Sequence, residues 1–243
     1  MSRIVLLIAV AIAFSGCLKK REEGLVTIRM KSNWAGESLV IGDVYTNNDG
    51  NPIMVEQFKA YLTDIAIVDE NGAEFPISDV FLADFSESNG VSATVPASKY
   101  TKLRFSVGVP AEINTNTDPA TYPSSSPLSV SGSEGMFWTW NSGYIFVKFE
   151  GKTAFTPDAS NLTEPYAFHV GSDAFYTTHE YAIDFEIGEE DETLNILFDA
   201  NKFLNGTDDV INLQQDNLTH TMDNMMLANR FVALFNESIS VRK

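Results

Sequence analysis

Cysteine is nearly absent from this chain of 243 residues, which contains a single one, Cys17. A lone cysteine cannot form a disulfide within the chain, so the folded part must be held together by the burial of side chains alone. Histidine is almost as scarce. Imidazole chemistry is therefore confined to three residues, His169, His179 and His220.

Basic residues are also in short supply. The chain has 16 lysines and arginines against 33 aspartates and glutamates, which gives a net charge of −17 at pH 7. A polyanion of this size is not attracted to nucleic acid or to an anionic membrane surface. We therefore expect no nucleic-acid partner. The basic cluster at residues 19–21 directly follows Cys17 and Leu18 and is predicted to be part of a tether.

The chain has no apolar run of the roughly 20 residues that a transmembrane helix needs. The apolar run at residues 4–14 has the length of the hydrophobic region of a signal peptide, and Arg3 precedes it. Ser15, Gly16 and Cys17 follow directly. Small residues before a cysteine are typical of the site that a bacterial lipoprotein signal peptidase cleaves.

This N-terminal pattern predicts a lipoprotein. We expect Cys17 to carry a lipid and to anchor the protein in the cell envelope, at the outer membrane, on its periplasmic or its surface face. The chain then divides into a signal peptide (1–16), a lipidated tether (17–24) and a single β domain (25–243). The alternative is an ordinary secretory signal that contains a cysteine by chance.

Sequence motifs of common enzyme classes are lacking. There is no Walker loop, no dinucleotide fingerprint after a strand, no G-x-S-x-G elbow and no H-E-x-x-H pair. With Cys17 committed to a lipid, a cysteine–histidine nucleophile is excluded as well. Carboxylates such as Asp184 and Glu186 lie on a predicted strand, where paired acids usually form a solvated face. We therefore expect a binding protein without catalytic residues.

Alternation of polar and apolar residues dominates the chain and is typical of half-buried strands. It recurs at residues 25–31, 61–68, 102–109, 144–149, 181–187 and 193–198. Turn residues separate these segments, and 17 Phe and 8 Tyr are available to fill a core. The pattern predicts a single antiparallel β-sandwich. Two stretches differ: residues 114–135 predict a long loop, and residues 224–235 predict one short C-terminal helix.

The segment at residues 136–151, MFWTWNSGYIFVKFEG, is the most unusual in the chain. Trp138 and Trp140 are two positions apart, so they point to the same face if the segment is extended. Two interpretations remain open. The tryptophans are core residues beside a tight corner, or they form a partly exposed platform that stacks a sugar, passes an electron or is oxidised.

The surroundings of the histidines leave their roles open. His169 lies between Phe168 and Val170, and His220 precedes the predicted helix. In such places a lone histidine is more often a hydrogen-bonded core residue than a metal ligand. His179 is predicted to be an exposed turn residue.

Several of these segments, taken in order and with their spacing, resemble the MbnP-type family. Its members occur beside a diheme peroxidase-like protein and in methanobactin-linked copper systems. The resemblance covers most of the chain after the signal, and its strongest parts are residues 58–69, the run F-S-V-G-V-P at 105–110 with Asn114 after it, W-T-W-N-S-G-Y at 138–144 with Glu150-Gly151, F-H-V-G at 168–171, and T-H at 219–220.

The resemblance implies a copper-binding β protein. In the family, a diheme cytochrome c peroxidase-like partner converts a tryptophan to kynurenine, and copper is held by histidine together with that kynurenine. His169 and His220 thus become candidate ligands, and Trp138 or Trp140 the candidate modified residue. A donor set of nitrogens suits Cu(II) better than Cu(I). Some relatives carry paired cysteines, whereas this chain has none after Cys17.

Two other functions compete with copper binding. In the first, Trp138 and Trp140 stack on a carbohydrate while amides and carboxylates bind its hydroxyls. In the second, the aromatic residues only fill the core of a structural lipoprotein. A glycan-binding surface requires exposed aromatic faces, whereas a copper site requires His169 and His220 to lie side by side.

Overall fold

The computed structural model describes residues 22–115, 117–138, 143–188 and 190–243. The predicted signal peptide, Cys17 and Trp140 lie outside these ranges. The first strand begins at Glu23, where it pairs with Pro96, so strand structure starts within the segment predicted to be a tether. Within the described ranges, no helix is both long and apolar enough to cross a bilayer.

Strands make up most of the regular structure. In chain order they are β1 (Glu23–Trp34), β2 (Glu37–Ser38), β3 (Val44–Thr46), β4 (Pro52–Asp69), β5 (Glu74–Asp84), β6 (Asn89–Pro96), β7 (Ser98–Val107), β8 (Phe137–Trp138), β9 (Gly143–Tyr144), β10 (Val147–Thr153), β11 (Glu164–Val170), β12 (Thr177–Ile187), β13 (Glu192–Asp199), β14 (Leu218–Thr219) and β15 (Ile239–Arg242). They form two large sheets and a small one made by β8 and β9.

The first sheet is built around β1, with the order β15-β13-β1-β2 and with β6 also paired to β1. The side chains of β1 alternate as the sequence predicts. Val26, Ile28 and Met30 are buried, whereas Arg29 and Lys31 are exposed. This alternation places one face of the sheet on the core and the other in solvent.

The second sheet has the order β12-β7-β4-β10-β11-β14 and is organised by the long strand β4. The first half of β4 pairs with β3 and β10, and its second half pairs with β5 and β7. One 18-residue strand therefore joins two sets of neighbours. The far edge of this sheet, formed by β10, β11 and β14, carries the candidate site described below.

The core between the sheets is rich in phenylalanine. Phe58 of β4 stacks on Phe85 with ring centroids 3.9 Å apart and meets Phe198 of the first sheet edge-on at 6.0 Å. It also contacts Phe235 of the C-terminal helix at 6.4 Å. Each of these side chains is buried, so a single aromatic cluster joins the two sheets and the helix.

The predicted C-terminal helix is confirmed as α2 (Met225–Glu237). Asn224 caps its N-terminus by accepting a hydrogen bond from the Leu227 amide. The buried side chains of α2 are spaced three and four residues apart and face the core: Leu227, Ala228, Phe231, Leu234 and Phe235. The remaining helices are short, namely α1 (Ala111–Asn114) and the 3₁₀ turns Pro119–Thr121, Asp173–Phe175 and Ala200–Phe203.

The predicted long loop at residues 114–135 packs on the second sheet through buried hydroxyls. The hydroxyl of Tyr61 donates to the carbonyl of Pro127 at 2.6 Å, and that of Tyr144 donates to the carbonyl of Leu128 at 2.5 Å. Burial raises the pKa of both tyrosines, which keeps them protonated as donors. The loop therefore contains turns that are fixed to the domain.

The predicted β-sandwich is confirmed, and most strand pairs are antiparallel, as expected. Two pairs are parallel: β1 with β13 and β11 with β14. Their partners are far apart in the sequence, so no short hairpin turn constrains their direction. Local alternation predicts strands but does not specify which distant strands become neighbours.

The prediction that His179 is an exposed turn residue was wrong. His179 lies within β12, which begins at Thr177 rather than at Tyr181, and it stands opposite Phe105 of β7. Its ring stacks on Phe105 with centroids 5.4 Å apart. Burial lowers the pKa of His179 and favours the neutral imidazole. His179 therefore contributes to side-chain packing in the second sheet.

Candidate functional site

Parallel pairing of β11 with β14 brings two of the three histidines together. Ala167 pairs with Leu218 and Phe168 pairs with Thr219, so the next residues along the two strands are His169 and His220. Their ring centroids are 5.0 Å apart, and the rings are nearly perpendicular, at 77°. Two residues that are remote in the sequence thus form an imidazole pair at the end of the shared ladder.

Each imidazole is hydrogen-bonded to its own carboxylate. His169 Nε2 lies 2.5 Å from Glu150 Oε2, and His220 Nδ1 lies 3.1 Å from Asp223 Oδ2. The hydrogen bond with His169 lowers the pKa of Glu150. Burial opposes ionisation of Asp223, but its hydrogen bonds with His220 outweigh burial and lower its pKa. Both acids are therefore carboxylates at neutral pH.

Because of these hydrogen bonds, the two nitrogens of each imidazole ring differ in what they can bind. One nitrogen of each imidazole is engaged by a carboxylate, which leaves Nδ1 of His169 and Nε2 of His220 for another ligand. A carboxylate on the far nitrogen orients an imidazole ring and raises its basicity, and metal-binding histidines almost always have such a partner. Both histidines of the pair have this support.

A turn with an unusual backbone conformation follows β14. Thr221 has a φ of +70°, a region that β-branched residues rarely adopt. Its hydroxyl donates to the carbonyl of His169 at 3.1 Å and accepts a hydrogen bond from the Gly171 amide at 3.0 Å. The Thr221 amide donates to the hydroxyl of Thr219 at 3.1 Å. These bonds fasten the His220 turn to the end of β11.

Gly171 is required where these segments meet. A Cβ atom on this residue would lie 2.1 Å from the carbonyl oxygen of Tyr144 and 3.0 Å from Cα of Ile145. Close approach of the two backbones therefore depends on the absence of a side chain. Nearby, the side chain of Asn114 accepts from the Tyr144 amide at 2.7 Å and donates to Asp173 at 2.7 Å.

The histidine pair lines a surface pocket of about 510 Å³. Its other lining residues include Trp138, Lys148, Met222 and Asp223. Burial lowers the pKa of Lys148, whose ammonium group lies 3.3 Å from the carbonyl of Gly135. A smaller hollow of about 220 Å³ adjoins this pocket, and Trp138 and Met222 line both.

Trp138 is only 5% exposed, so it does not present a free ring face on which a sugar could stack. The candidate residues Trp140 and Cys17 lie outside the described residues, and His179 lies in another strand, stacked on Phe105. Of the candidate site residues, the structure therefore places His169, His220 and Trp138 around one pocket.

The side chains of this pocket that suit a metal ion are the two imidazoles of His169 and His220. In the described part of the chain, no group of three or more His, Cys, Asp and Glu side chains is arranged to hold a metal ion. The two imidazoles are nitrogen donors of the kind that copper accepts.

Sequence reasoning did not identify Glu150, Lys148, Met222 or Asp223 as site residues. Asp223 could have been found, since it follows His220 by three positions, next to the predicted start of the helix. Glu150 belongs to a segment on which the resemblance rests, but nothing in the sequence indicated that it would face His169. That contact depends on the register of β10 and β11, in which Lys148 stands opposite His169.

Fold and site together define a class of protein: a β-sandwich with a carboxylate-supported histidine pair at one sheet edge, beside a tryptophan. The sequence profile of the MbnP family matches residues 23–226. The chain therefore belongs to the MbnP family, and the resemblance inferred from its motifs is confirmed. A solved structure, MbnP from Methylosinus trichosporium, is similar, with a TM-score of 0.54 and 20% sequence identity over 79% of this chain and 80% of that chain. At this identity the similarity shows a shared fold. No curated protein matches the chain.

Proposed function

We propose that this protein is an exported, lipid-anchored member of the MbnP family that binds copper and does not itself catalyse a reaction. His169 and His220 hold the metal, and an oxidised tryptophan supplies a further ligand. A diheme cytochrome c peroxidase-like protein is the partner that oxidises the tryptophan. The observation that carries the proposal is the pairing of the two imidazoles at 5.0 Å, each with its own carboxylate.

The support for a metal comes from the arrangement of the ring nitrogens. Glu150 and Asp223 occupy one nitrogen of each histidine and fix the orientation of the ring. The other nitrogens belong to neighbouring rings that line the same pocket. A structural histidine needs one hydrogen-bond partner and no second histidine beside it. Imidazole is a ligand that copper binds well, and family membership makes copper the metal to test first.

Trp138 is the described tryptophan that fits the role of the modified residue, because it lines the pocket of the histidine pair. Opening of an indole to kynurenine removes one ring carbon and leaves a ketone oxygen and an aromatic amine. Both groups can donate to a metal, whereas an intact indole offers only an N–H. The lost carbon leaves as formate, and a peroxide, activated by the diheme partner, supplies the oxygen and the oxidising equivalents. Trp140 remains the alternative, two positions away.

The experiment compares protein made with and without its diheme partner. Copper stoichiometry is measured together with the masses of peptides that contain Trp138 and Trp140. We expect the kynurenine mass at one tryptophan only after co-production, and higher copper uptake in that sample. His169→Ala and His220→Ala should each abolish uptake, whereas His179→Ala, which removes a histidine stacked on Phe105, should retain it. Uptake that survives both substitutions in the pair would refute the proposal.

The anchoring proposal has a separate test. Cys17→Ser should release the protein from the membrane fraction or leave it unprocessed, and should prevent labelling by palmitate. Wild-type fractionation and labelling of this variant would show that the anchor is not at Cys17. The copper site lies in the folded domain and should be unaffected by the substitution.

A further inference from the structure

Cations without an ion-pair partner collect on the outer face of the first sheet. Among the described residues, several lysines and arginines form ion pairs with acids: Lys59, Lys102, Arg104, Lys152, Arg230 and Lys243. Of the others, four lie on or beside this face and are exposed: Arg29, Lys31, Lys202 and Arg242. In a chain with 33 acidic residues against 16 basic ones, ion pairing is the expected state of a cation. We call these four residues the basic face.

Strand register brings the cations of the basic face together. Arg29 of β1 is in register with Asn195 of β13, which is in turn in register with Arg242 of β15. Lys31 follows Arg29 by two positions, so both side chains point to the solvent side of the sheet. Lys202 lies beside them, in the 3₁₀ turn that follows β13.

The basic face contains a hollow of about 380 Å³, which is lined by Lys31, Lys202 and Arg242. Asp199 and Glu237 also line this hollow, but the carboxylate of each accepts a hydrogen bond from a backbone amide, at 3.1 and 2.9 Å. The two acids are therefore engaged within the protein. The three cations have no ion-pair partner among the described residues, so the hollow suits an external anion.

The position of the proposed lipid anchor brings this face close to a membrane. Cys17 precedes Glu23, the first residue of β1, by six positions. Six residues span at most roughly 20 Å when fully extended. The strand that follows this short connection is the one that carries Arg29 and Lys31. The nearest abundant anions are therefore the phosphate groups of the lipid surface itself.

We infer that the basic face is a docking surface for anionic phospholipid headgroups of the membrane that holds the anchor. The inference rests on the proposed lipidation of Cys17. Basic side chains are attracted to anionic headgroups within about a Debye length, roughly 8 Å at physiological ionic strength. The negative net charge of the chain repels the unanchored protein from such a surface. The anchor therefore recruits the domain, and the basic face orients it.

Docking through this face determines where the pocket of the histidine pair points. The basic face is the outer side of the first sheet, whereas His169 and His220 lie at an edge of the second sheet, across the core. With the first sheet against the headgroups, the second sheet faces away from them. The pocket then stays open to the diheme partner.

The test couples the chain from Cys17 onward, through this single cysteine, to a maleimide-bearing lipid in vesicles. Vesicles of phosphatidylglycerol are compared with vesicles of phosphatidylcholine, and the rate of acetylation of each lysine is measured by mass spectrometry. We expect Lys31 and Lys202 to react about five-fold more slowly on phosphatidylglycerol, the effect of roughly one basic side chain at an anionic surface. High salt should remove the difference. Lys152 of the second sheet is the internal control and should react equally on both lipids.

A pair of double variants tests the role of charge. Arg29→Gln with Arg242→Gln removes two cations of the basic face and leaves both of its lysines to be measured, and their protection should be lost. Lys102→Gln with Lys152→Gln removes the same charge from the second sheet and should retain the protection.

Equal acetylation of Lys31 on the two lipids would overturn the inference, as would protection that survives Arg29→Gln with Arg242→Gln. Protection of the uncoupled protein by free glycerol phosphate would also overturn it, because the hollow would then be a site for a small soluble anion. Chemical coupling replaces natural acylation in this experiment. A negative result therefore leaves the anchoring proposal standing, and that proposal is decided by the fractionation of Cys17→Ser.

Discussion

Glu150 of β10 reaches diagonally to His169 of β11, with Glu150 Oε2 2.5 Å from His169 Nε2. Glu150→Gln keeps the shape of this contact and removes the charge. We expect copper affinity to fall by about 10- to 100-fold, the usual effect of removing a carboxylate that supports a metal-binding histidine. The fold should be retained, because the pair lies at a partly exposed sheet edge. Isothermal titration with copper measures the change.

The control for this substitution is Glu56→Gln. Glu56 forms an ion pair of 2.9 Å with Lys152, also on the second sheet, and that pair lies away from the histidines. Its loss should leave copper affinity unchanged. Equal affinities for Glu150→Gln and wild type would show that Glu150 does not support a metal ligand.

Removal of the Tyr61 or Tyr144 hydroxyl should destabilise the domain. Each hydroxyl donates to a carbonyl of the 114–135 loop, so Tyr61→Phe or Tyr144→Phe leaves an acceptor without its partner. We expect a loss of about 1–3 kcal/mol in the free energy of unfolding for each substitution. Urea denaturation provides the measurement. Tyr122→Phe, whose hydroxyl forms no hydrogen bond with any described residue, should change stability little.

A methyl group at Gly171 should disturb the histidine pair by displacing the backbone that supports it. Gly171→Ala places a Cβ atom 2.1 Å from the carbonyl oxygen of Tyr144, so the end of β11 must move. Overpacking of this kind costs about 1–3 kcal/mol, and it should also weaken copper binding because the Gly171 amide holds Thr221. Gly188→Ala is the control, since a Cβ atom there meets nothing within 4 Å. Wild-type stability in Gly171→Ala would contradict the required close approach.

The ion network of Arg230 predicts a pH dependence of stability. Arg230 on α2 binds Asp209 through two nitrogens, at 2.7 and 2.9 Å, and Asp216 at 2.7 Å. The hydrogen bond from Arg230 lowers the pKa of Asp209 in the folded state. A carboxylate with a depressed folded pKa contributes stability above its unfolded pKa, near 3.9, and this contribution is lost as the pH falls through the folded pKa.

Arg230→Met tests this linkage while keeping much of the aliphatic stem. The side chains are partly exposed, so solvent screens the network, and we expect a loss of about 0.2–1 kcal/mol at pH 7 in low salt. The difference between variant and wild type should disappear as the pH falls through the lowered folded pKa of Asp209 and should shrink in high salt. A difference that is independent of pH would assign the effect of Arg230 to packing alone.

Local sequence patterns predicted much of the fold. The alternation at residues 25–31 and 193–198 corresponds to β1 and β13, and the helix predicted at residues 224–235 corresponds to α2. The pairing of β1 with β13 was not predictable in the same way. Alternation indicates which face of a strand is buried. Which strand pairs with it, and whether that strand runs parallel or antiparallel, depends on how the whole core packs.

The site was only partly predictable, for the same reason. His169 and His220 were selected by resemblance, and each alone was equally consistent with a buried structural histidine. Their proximity arises from the register of β11 and β14, and the contact of Glu150 with His169 from that of β10 and β11. The turn after His220 depends on the positive φ of Thr221, which no propensity of a β-branched residue would suggest.

The parallel pairing of β1 with β13 has a consequence for the order in which the chain can acquire structure. On one side β1 pairs with the nearby strand β6, but on its other side residues 26–33 pair with residues 192–199, so the central strand of the first sheet stays incomplete until most of the polypeptide has been made. Pairings over such separations form late and slowly, because closing the intervening loop costs entropy before any contact is gained. A nascent chain that ends before residue 192 should therefore remain sensitive to protease along its first strand, and a polypeptide in this state is still loose enough to be threaded through a translocation channel.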